Sequence, residues 1–109
     1  MSEYFFVQSQ DPLSESRCEH QYRLMASLAE AGHTVQVLLV QNGVMPARAG
    51  AHAPALEPLL DQAGLTVYAD DYSLQQRHMD TGQLKPGVQV ASVDRVISAM
   101  LAGHKVIWH

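Results

Sequence analysis

The sequence has one cysteine and few basic residues, and both shortages exclude classes of protein. Cys18 is the single cysteine among 109 residues, so the chain has neither an internal disulfide framework nor a cysteine-rich zinc site. Seven Lys and Arg stand against eleven Asp and Glu, which gives a formal net charge of −4. Because nucleic-acid binding needs a basic surface that follows the phosphates, we exclude nucleic acid as the main partner.

Long apolar segments are also missing. The apolar run at 37–40 is among the longest in the chain, whereas a helix that crosses a bilayer needs about 20 apolar residues. The first residues, Met1-Ser2-Glu3-Tyr4, lack the basic and apolar regions of a secretory signal. We therefore expect a cytoplasmic protein without membrane association, folded as a single domain over residues 1–109.

Glycine is missing from residues 8–16, directly after the first apolar run. Dinucleotide-binding and Walker-type phosphate loops need glycines at that point, because the backbone must approach the phosphates. None of the six histidines pairs with another at i, i+4 spacing, which is the helical spacing of many metal sites. The sequence thus predicts no cofactor and no metal site.

What the chain does contain is an alternation of strand and helix patterns. Apolar and β-branched runs predict five strands, at residues 4–7, 34–40, 65–69, 88–91 and 105–108. Amphipathic patterns predict helices between them: a first helix to about residue 31, a second to 63, a third around 73–78, and a last helix before Gly103. Residues 45–54, rich in Ala, Gly and Pro, are expected to form an irregular loop.

Signals for helix ends accompany these patterns. Ser16 and Glu19 fit a capping box for the first helix, and Ser92 is a good N-cap for the last one. Either Pro54 or Pro58 fits the first turn of the second helix. The last helix has the clearest apolar pattern, with Val93, Val96, Ile97, Met100 and Leu101.

The first and last helices end in the same way, at Ala31-Gly32-His33 and Ala102-Gly103-His104. A glycine at positive φ followed by a sharp return to a strand explains both ends. An internal duplication is the alternative, but the flanking sequences give it little support.

Strands joined by helices over such short connections form right-handed crossovers of a parallel sheet. We predict an α/β fold, a flavodoxin-like three-layer sandwich with a mostly parallel sheet of about five strands flanked by helices. Ligands of such sheets bind at the carboxyl ends of the strands, near a switch in strand order. The segments in which to look for function are 8–12, 41–48, 70–77 and 91–94.

Cys18 and Ser73 are the candidates for chemistry. A thiol near a helix N-terminus can have a lowered pKa, but Cys18 begins an apolar stripe that continues with Tyr22, which favours a buried, unreactive cysteine. Ser73 and Arg77 follow the third strand on one side of a short helix, where N–H groups favour an anion or a thiol-bearing ligand. A helix cap with a solvated arginine is the alternative, and the residue pattern alone favours it.

The whole chain resembles the DsrE/DsrF-like sulfur-relay family. The resemblance rests on the first helix ending in Ala-Gly-His, on the strand at 35–40 that closes on Asn42-Gly43-Val44, and on Met100-Leu101-Ala102-Gly103 before the last strand. It implies an α/β subunit assembled into trimers or hexamers. It also implies a cysteine after strand three that takes sulfur as a persulfide and hands it to a sulfur-carrier protein.

The family pattern is Cys, a small residue, two variable residues and Arg-Gly, and it places Ser73 at the cysteine, Arg77 at the arginine and His78 at the glycine. Because a serine cannot form a persulfide, the resemblance implies a non-catalytic subunit or binding protein of sulfur trafficking. The implied ligand pocket is lined by Asn42, Gly43, Asp71, Tyr72, Ser73 and Arg77.

Two other functions stay open. Cys18 could accept sulfur if the first helix turned it towards the same crevice. Ser73 could serve a small-molecule binder or hydrolase if a neighbouring subunit supplied an Asp or His. For assembly, Tyr4-Phe5-Phe6 and the loop at 45–54 are candidate contacts, although a core position is favoured for the aromatic residues.

Overall fold

Five strands form one sheet in the computed structural model, which describes residues 2–12 and 17–109. They are β1 (Glu3–Gln8), β2 (Thr34–Leu39), β3 (Leu65–Asp70), β4 (Val88–Ala91) and β5 (Lys105–Trp108). The order across the sheet is β4-β3-β2-β1-β5, and every neighbouring pair is parallel. The predicted α/β fold with a parallel sheet of about five strands is confirmed.

Helices connect the strands as expected, with different bounds. They are α1 (Cys18–Glu30), α2 (Glu57–Leu60), α3 (Asp71–Gln76) and α4 (Asp94–Leu101), with 3₁₀ helices at Gln41–Ala47 and Thr81–Gln83. The predicted irregular loop is therefore partly wrong, because its first residues belong to the 3₁₀ segment Gln41–Ala47. Pro58 lies in the first turn of α2, which ends at Leu60, before the expected residue 63. None of the described helices is long and apolar enough to cross a bilayer.

Two helix starts differ from the prediction. The helix α3 begins at Asp71 because the Asp70 carboxylate caps it, accepting from Ser73 N at 3.0 Å. At α4 the N-cap is Val93, while the Ser92 hydroxyl accepts from Asp94 N at 3.3 Å. The capping box of Ser16 with Glu19 stays a prediction, since Ser16 lies outside the described residues.

The two Ala-Gly-His ends share one hydrogen-bond pattern, as predicted. Gly32 and Gly103 have φ of +93° and +84°. The next residue returns its N–H to the helix in both cases, His33 N to Leu28 O at 3.1 Å and His104 N to Ala99 O at 3.0 Å. Because only a left-handed residue closes this turn without strain, glycine is required at both positions.

The two faces of the sheet are covered by different numbers of helices. On one face α1, α2, α3 and the 3₁₀ segment bury a large core cluster that includes Phe6, whereas on the other face α4 covers a smaller cluster that includes Phe5. Phe5 and Phe6 are 0% and 1% exposed, so the favoured core position of these aromatic residues is confirmed. They point to opposite faces because neighbouring residues of a strand alternate.

The predicted apolar face of α4 is only partly correct. The sheet buries Val96 and Ala99, which sit on one side of the helix. Four large apolar side chains of the same helix region stay exposed: Val93, Ile97, Met100 and Leu101. We call these four residues the α4 stripe. Since their spacing is also helical, α4 presents apolar residues to the sheet and to its outer side.

Candidate functional site

The order of the strands identifies one place where a ligand is expected. Strands β2, β3 and β4 lie on one side of β1, and β5 lies on the other. The connections thus change direction at β1, and open parallel sheets bind ligands at the carboxyl ends beside such a switch point. Topology therefore favours the ends of β1 and β5. Residues 8–12 at the end of β1 were among the four segments named from the sequence, but the candidate Ser73 and Arg77 follow β3, two strands away.

At the carboxyl end of β3, Ser73 is held by hydrogen bonds on both sides. Its hydroxyl donates to Asp70 Oδ2 at 2.7 Å and accepts from Gln41 N at 2.8 Å. The Ser73 side chain is buried, with 3% of the residue exposed. These contacts tie α3 to β3 and to the 3₁₀ segment, so the hydroxyl serves the structure.

Arg77 also joins α3 to the 3₁₀ segment. One guanidinium nitrogen donates to Ser73 O at 3.2 Å, and the other donates to Asn42 Oδ1 at 3.0 Å. Gln41 supports this arrangement with a left-handed backbone at φ +52°, which is uncommon for a residue with a side chain. The structure thus brings together Asn42, Ser73 and Arg77, as the sequence predicted.

The other predicted pocket residues are placed differently. Asp71 and Tyr72 are exposed, and the Asp71 carboxylate accepts from Tyr72 N at 2.7 Å. Gly43 is buried, and a Cβ atom there would overlap the carbonyl oxygen of Gln8. Glycine is needed at this position so that the chain after β2 can pack against the end of β1. A ligand pocket lined by this set stays a prediction.

Sequence reasoning missed Asp70, which is the nearest proton acceptor to Ser73. An Asp three residues before a Ser at a helix start is an N-cap pattern, and that signal was available. The predicted helix cap by Ser73 itself is wrong, because Asp70 is the cap. Among the described residues, the hydrogen-bond partners of the Ser73 hydroxyl are Asp70 and Gln41, and His78 is not one of them.

At the carboxyl end of β1, Gln8 is a fully buried polar residue. Its Oε1 accepts from Gln10 N at 3.1 Å and lies 2.9 Å from His109 Nδ1. The Cys18 thiol donates to the same oxygen at 3.8 Å. Because an amide oxygen only accepts, the His109 nitrogen in this contact carries the proton. Gln8 lies in the segment 8–12 selected from the sequence, but neither Gln8 nor His109 was assigned a role, since a polar residue at a strand end has no distinctive sequence signal.

Cys18 is buried in the core, 0% exposed, which supports the unreactive interpretation of its thiol. Tyr22, one helical turn later, is also buried. Burial raises the pKa of the Tyr22 hydroxyl far above its usual value, and Cys18 and Asp11 add smaller contributions in the same direction. The phenol therefore stays protonated at physiological pH.

The structure also contains two surface pockets that are lined by charged residues. One of about 350 Å³ is lined by Ser92, Asp94 and Arg95 at the end of β4, where Arg95 lies 4.4 Å from the centre of the Tyr68 ring. Another, of about 410 Å³, is lined partly by Lys85, whose ammonium donates to Pro46 O at 2.7 Å. Within the described ranges no group of three or more His, Cys, Asp or Glu is placed to hold a metal ion.

One family model matches the chain, and the solved structures that resemble it share its fold. The model of the DsrE/DsrF-like family matches residues 2–109. No curated protein matches the chain. The fold is similar to that of the ychN protein from E. coli, with a TM-score of 0.87, 19% identity and all of both chains covered.

Two other solved structures are similar. A protein of unknown function from Methanobacterium thermoautotrophicum has a TM-score of 0.82 and 22% identity over 99% of this chain and 98% of its own. A conserved protein of unknown function from Bacteroides thetaiotaomicron has a TM-score of 0.76 and 13% identity over 99% of this chain and 95% of its own. Identities this low show a shared fold.

Proposed function

Because the chain belongs to the DsrE/DsrF-like family, we propose that it acts in cytoplasmic sulfur trafficking as a non-catalytic subunit or binding protein. In this proposal the position after β3 does not accept sulfur. The family pattern places a persulfide-forming cysteine where this chain has Ser73, and a hydroxyl cannot take its place.

The observation that supports the proposal is the hydrogen bonding of Ser73. Its hydroxyl is engaged by the Asp70 carboxylate and by Gln41 N, and the residue is buried. A nucleophile must reach its substrate, whereas this hydroxyl joins three elements of the fold. The residue that replaces the cysteine thus has a structural use of its own.

The proposal includes self-assembly into a trimer or hexamer and a sulfur-carrier protein as partner. The α4 stripe supports self-assembly, because its residues are 48–84% exposed and adjacent. A contiguous apolar surface on the thinly covered side of a sheet is typical of a protein interface. The resulting assembly would present several α3 ends to a partner.

A persulfide-transfer assay tests the non-catalytic role. The purified protein is incubated with a low-molecular-weight persulfide donor, and sulfane sulfur is mapped by mass spectrometry. We expect no loading of the native chain, because a serine cannot form a persulfide and the Cys18 thiol is buried. Loading at Cys18 that disappears in Cys18→Ala would overturn the non-catalytic role.

Light scattering tests the assembly. We expect the mass of a trimer or hexamer for the native chain and a smaller species for Leu101→Glu, because Leu101 is 84% exposed in the α4 stripe. Leu24→Glu is the matched control, since Leu24 is an exposed apolar residue of α1. A monomeric native chain contradicts self-assembly.

A further inference from the structure

Lys85 is a buried cation whose ammonium has no anionic partner in the described part of the chain. The residue is 8% exposed, and its ammonium donates to the carbonyl oxygen of Pro46 at 2.7 Å. That carbonyl is neutral, and no Asp or Glu among the described residues pairs with the ammonium. Lysine is rarely buried to this extent without a paired charge, because burial removes water from the ammonium. An ammonium has three N–H donors, so two of them have no acceptor among the described residues.

Main-chain hydrogen bonds hold Lys85 in this position. Lys85 N donates to Ala47 O at 2.8 Å, and Ala49 N donates to Gln83 O at 2.6 Å. The ammonium contacts the same segment through the neighbouring carbonyl, that of Pro46. Because the ammonium is fixed before a ligand arrives, it loses little conformational entropy when it gains a further acceptor.

Lys85 lines a surface pocket of about 410 Å³ together with two carboxylates. The pocket lies between α2 and the chain that leads into β4, and its wall includes Ala49 and Leu60. Glu57 begins α2 and Asp61 directly follows it, so these two acidic residues of the pocket are about one helical turn apart. Both are exposed, and neither forms an ion pair with a described residue. The pocket therefore combines one buried positive charge with two exposed negative charges.

This distribution of charge is complementary to a small zwitterion. A carboxylate accepts charge-assisted hydrogen bonds from the two remaining N–H groups of Lys85. An ammonium group on the same molecule is attracted by Glu57 and Asp61, which otherwise repel each other. A purely anionic ligand meets the two carboxylates, and a purely cationic ligand meets the ammonium of Lys85. The volume of the pocket is in the range that holds small molecules.

We propose that this pocket binds a free α-amino acid with a short side chain, with its carboxylate on Lys85 and its ammonium group beside Glu57 and Asp61. The short side chain lies against Leu60 and Pro86, which are apolar residues of the pocket. The site precedes β4 and is not at the carboxyl end of β3, so it does not depend on the proposed role in sulfur trafficking.

Alanine, propionate and ethylamine are matched probes, because propionate lacks the ammonium group of alanine and ethylamine lacks its carboxylate. Their binding is followed by NMR through the main-chain amide signals of Ala49, Gly50 and Leu60, which line the pocket. We expect saturable shifts with millimolar alanine and at least about threefold weaker binding of each analogue. Alanine that gives no saturable shift, or an analogue that binds as tightly as alanine, overturns the proposal.

Two variants test the two ends of the ligand. Lys85→Met keeps a long unbranched side chain but removes the ammonium, so alanine should bind about tenfold more weakly. Glu57→Gln combined with Asp61→Asn should make alanine and propionate bind alike, because no carboxylate then attracts the ammonium group or repels the anion. Glu30→Gln combined with Asp94→Asn is the control, since it removes two exposed carboxylates that do not line the pocket. This control should keep the native preference for alanine.

The variant without the two pocket carboxylates changes exposed residues, so it is expected to fold even if Lys85→Met does not. The three probes on the native chain depend on neither variant. The proposal is also overturned if folded Lys85→Met binds alanine like the native chain. A preference for alanine over propionate that survives the loss of Glu57 and Asp61 carboxylates has the same consequence.

Discussion

The carboxyl ends of β3 and β1 both contain buried polar side chains, but they differ in how these are paired. At β3 the Asp70 carboxylate accepts from the N–H and the hydroxyl of Ser73, and that hydroxyl accepts from Gln41 N. At β1 the Gln8 amide uses its oxygen, while its nitrogen and the Tyr22 hydroxyl have no partner among the described residues. A polar cluster that satisfies itself stabilises a fold, whereas one with unpaired donors can gain from a ligand.

The 3₁₀ segment Gln41–Ala47 contacts both strand ends, through Gln41 N to Ser73 and through Gly43 to the main chain of Gln8. The largest effect is therefore expected for Gly43→Ala. The added Cβ would overlap a backbone oxygen, which cannot move without shifting β1. We expect the free energy of unfolding to fall by about 3 kcal/mol in urea denaturation. Gly82→Ala is the control, since a Cβ at Gly82 meets no atom within 4 Å. A loss below about 1 kcal/mol for Gly43→Ala would contradict the close packing.

Asp70→Ala tests the carboxyl end of β3, where the polar side chains pair with one another. The substitution removes the cap of α3 and leaves the Ser73 hydroxyl without its acceptor, so we expect a loss of about 2–3 kcal/mol of unfolding free energy. The neighbouring carboxylate gives the control, because Asp71 is exposed and accepts one local hydrogen bond from Tyr72 N. Asp71→Ala should cost less than about 1 kcal/mol. If Asp70→Ala and Asp71→Ala lose the same stability in thermal and urea unfolding, Asp70 has no special role.

Ser73→Ala should have a smaller effect at the same end. The variant keeps the cap from Ser73 N to Asp70 but leaves Gln41 N without its acceptor, which predicts a loss of about 1–2 kcal/mol. Ser98→Ala, at an exposed position of α4, should change stability by less than about 0.5 kcal/mol. If Ser73→Ala is as stable as the native chain, the hydroxyl is not the structural link inferred here.

Tyr22 gives a pH-dependent test of the other end. Burial raises the pKa of the folded Tyr22 above its usual value of 10.0, so above pH 10 the unfolded state loses the phenol proton while the folded state keeps it. The folded state then binds more protons, and stability falls as pH rises, by up to about 1.4 kcal/mol per pH unit for this group. Urea unfolding between pH 9 and 11 should show a shallower slope for Tyr22→Phe than for the native chain. Tyr72→Phe removes an exposed phenol instead, and an equal change of slope in both variants would contradict the assignment.

At neutral pH, Tyr22→Phe is expected to produce the smallest change, within about 0.5 kcal/mol of the native chain, because the deleted oxygen has no hydrogen-bond partner among the described residues. A larger loss would mean that the Tyr22 hydroxyl is paired in solution. The polar groups at the end of β1 would then differ less in pairing from those at the end of β3.

Much of the fold could be predicted because it depends on local patterns. The β-branched runs of β2 and β3 and the two Ala-Gly-His ends specify their own conformations, whatever the rest of the chain does. The start of α3 was missed by two residues because Ser73 and Asp70 are both good caps, and the choice between them is made by packing. The candidate site was only partly predictable, since Asn42, Ser73 and Arg77 come together through a left-handed residue, Gln41, that has no sequence signal.

The sequence by itself determined the alternation of strands and helices, the parallel sheet and the absence of a thiol after β3, because periodicity, turn residues and residue identity are properties of neighbouring positions. Tertiary structure decided which strand lies beside which, and with it the switch point at β1. It also decided that the α4 stripe stays exposed and that the Cys18 thiol contacts the Gln8 amide in the protein interior. These outcomes depend on contacts between residues far apart in the chain, whose pairing no local pattern specifies.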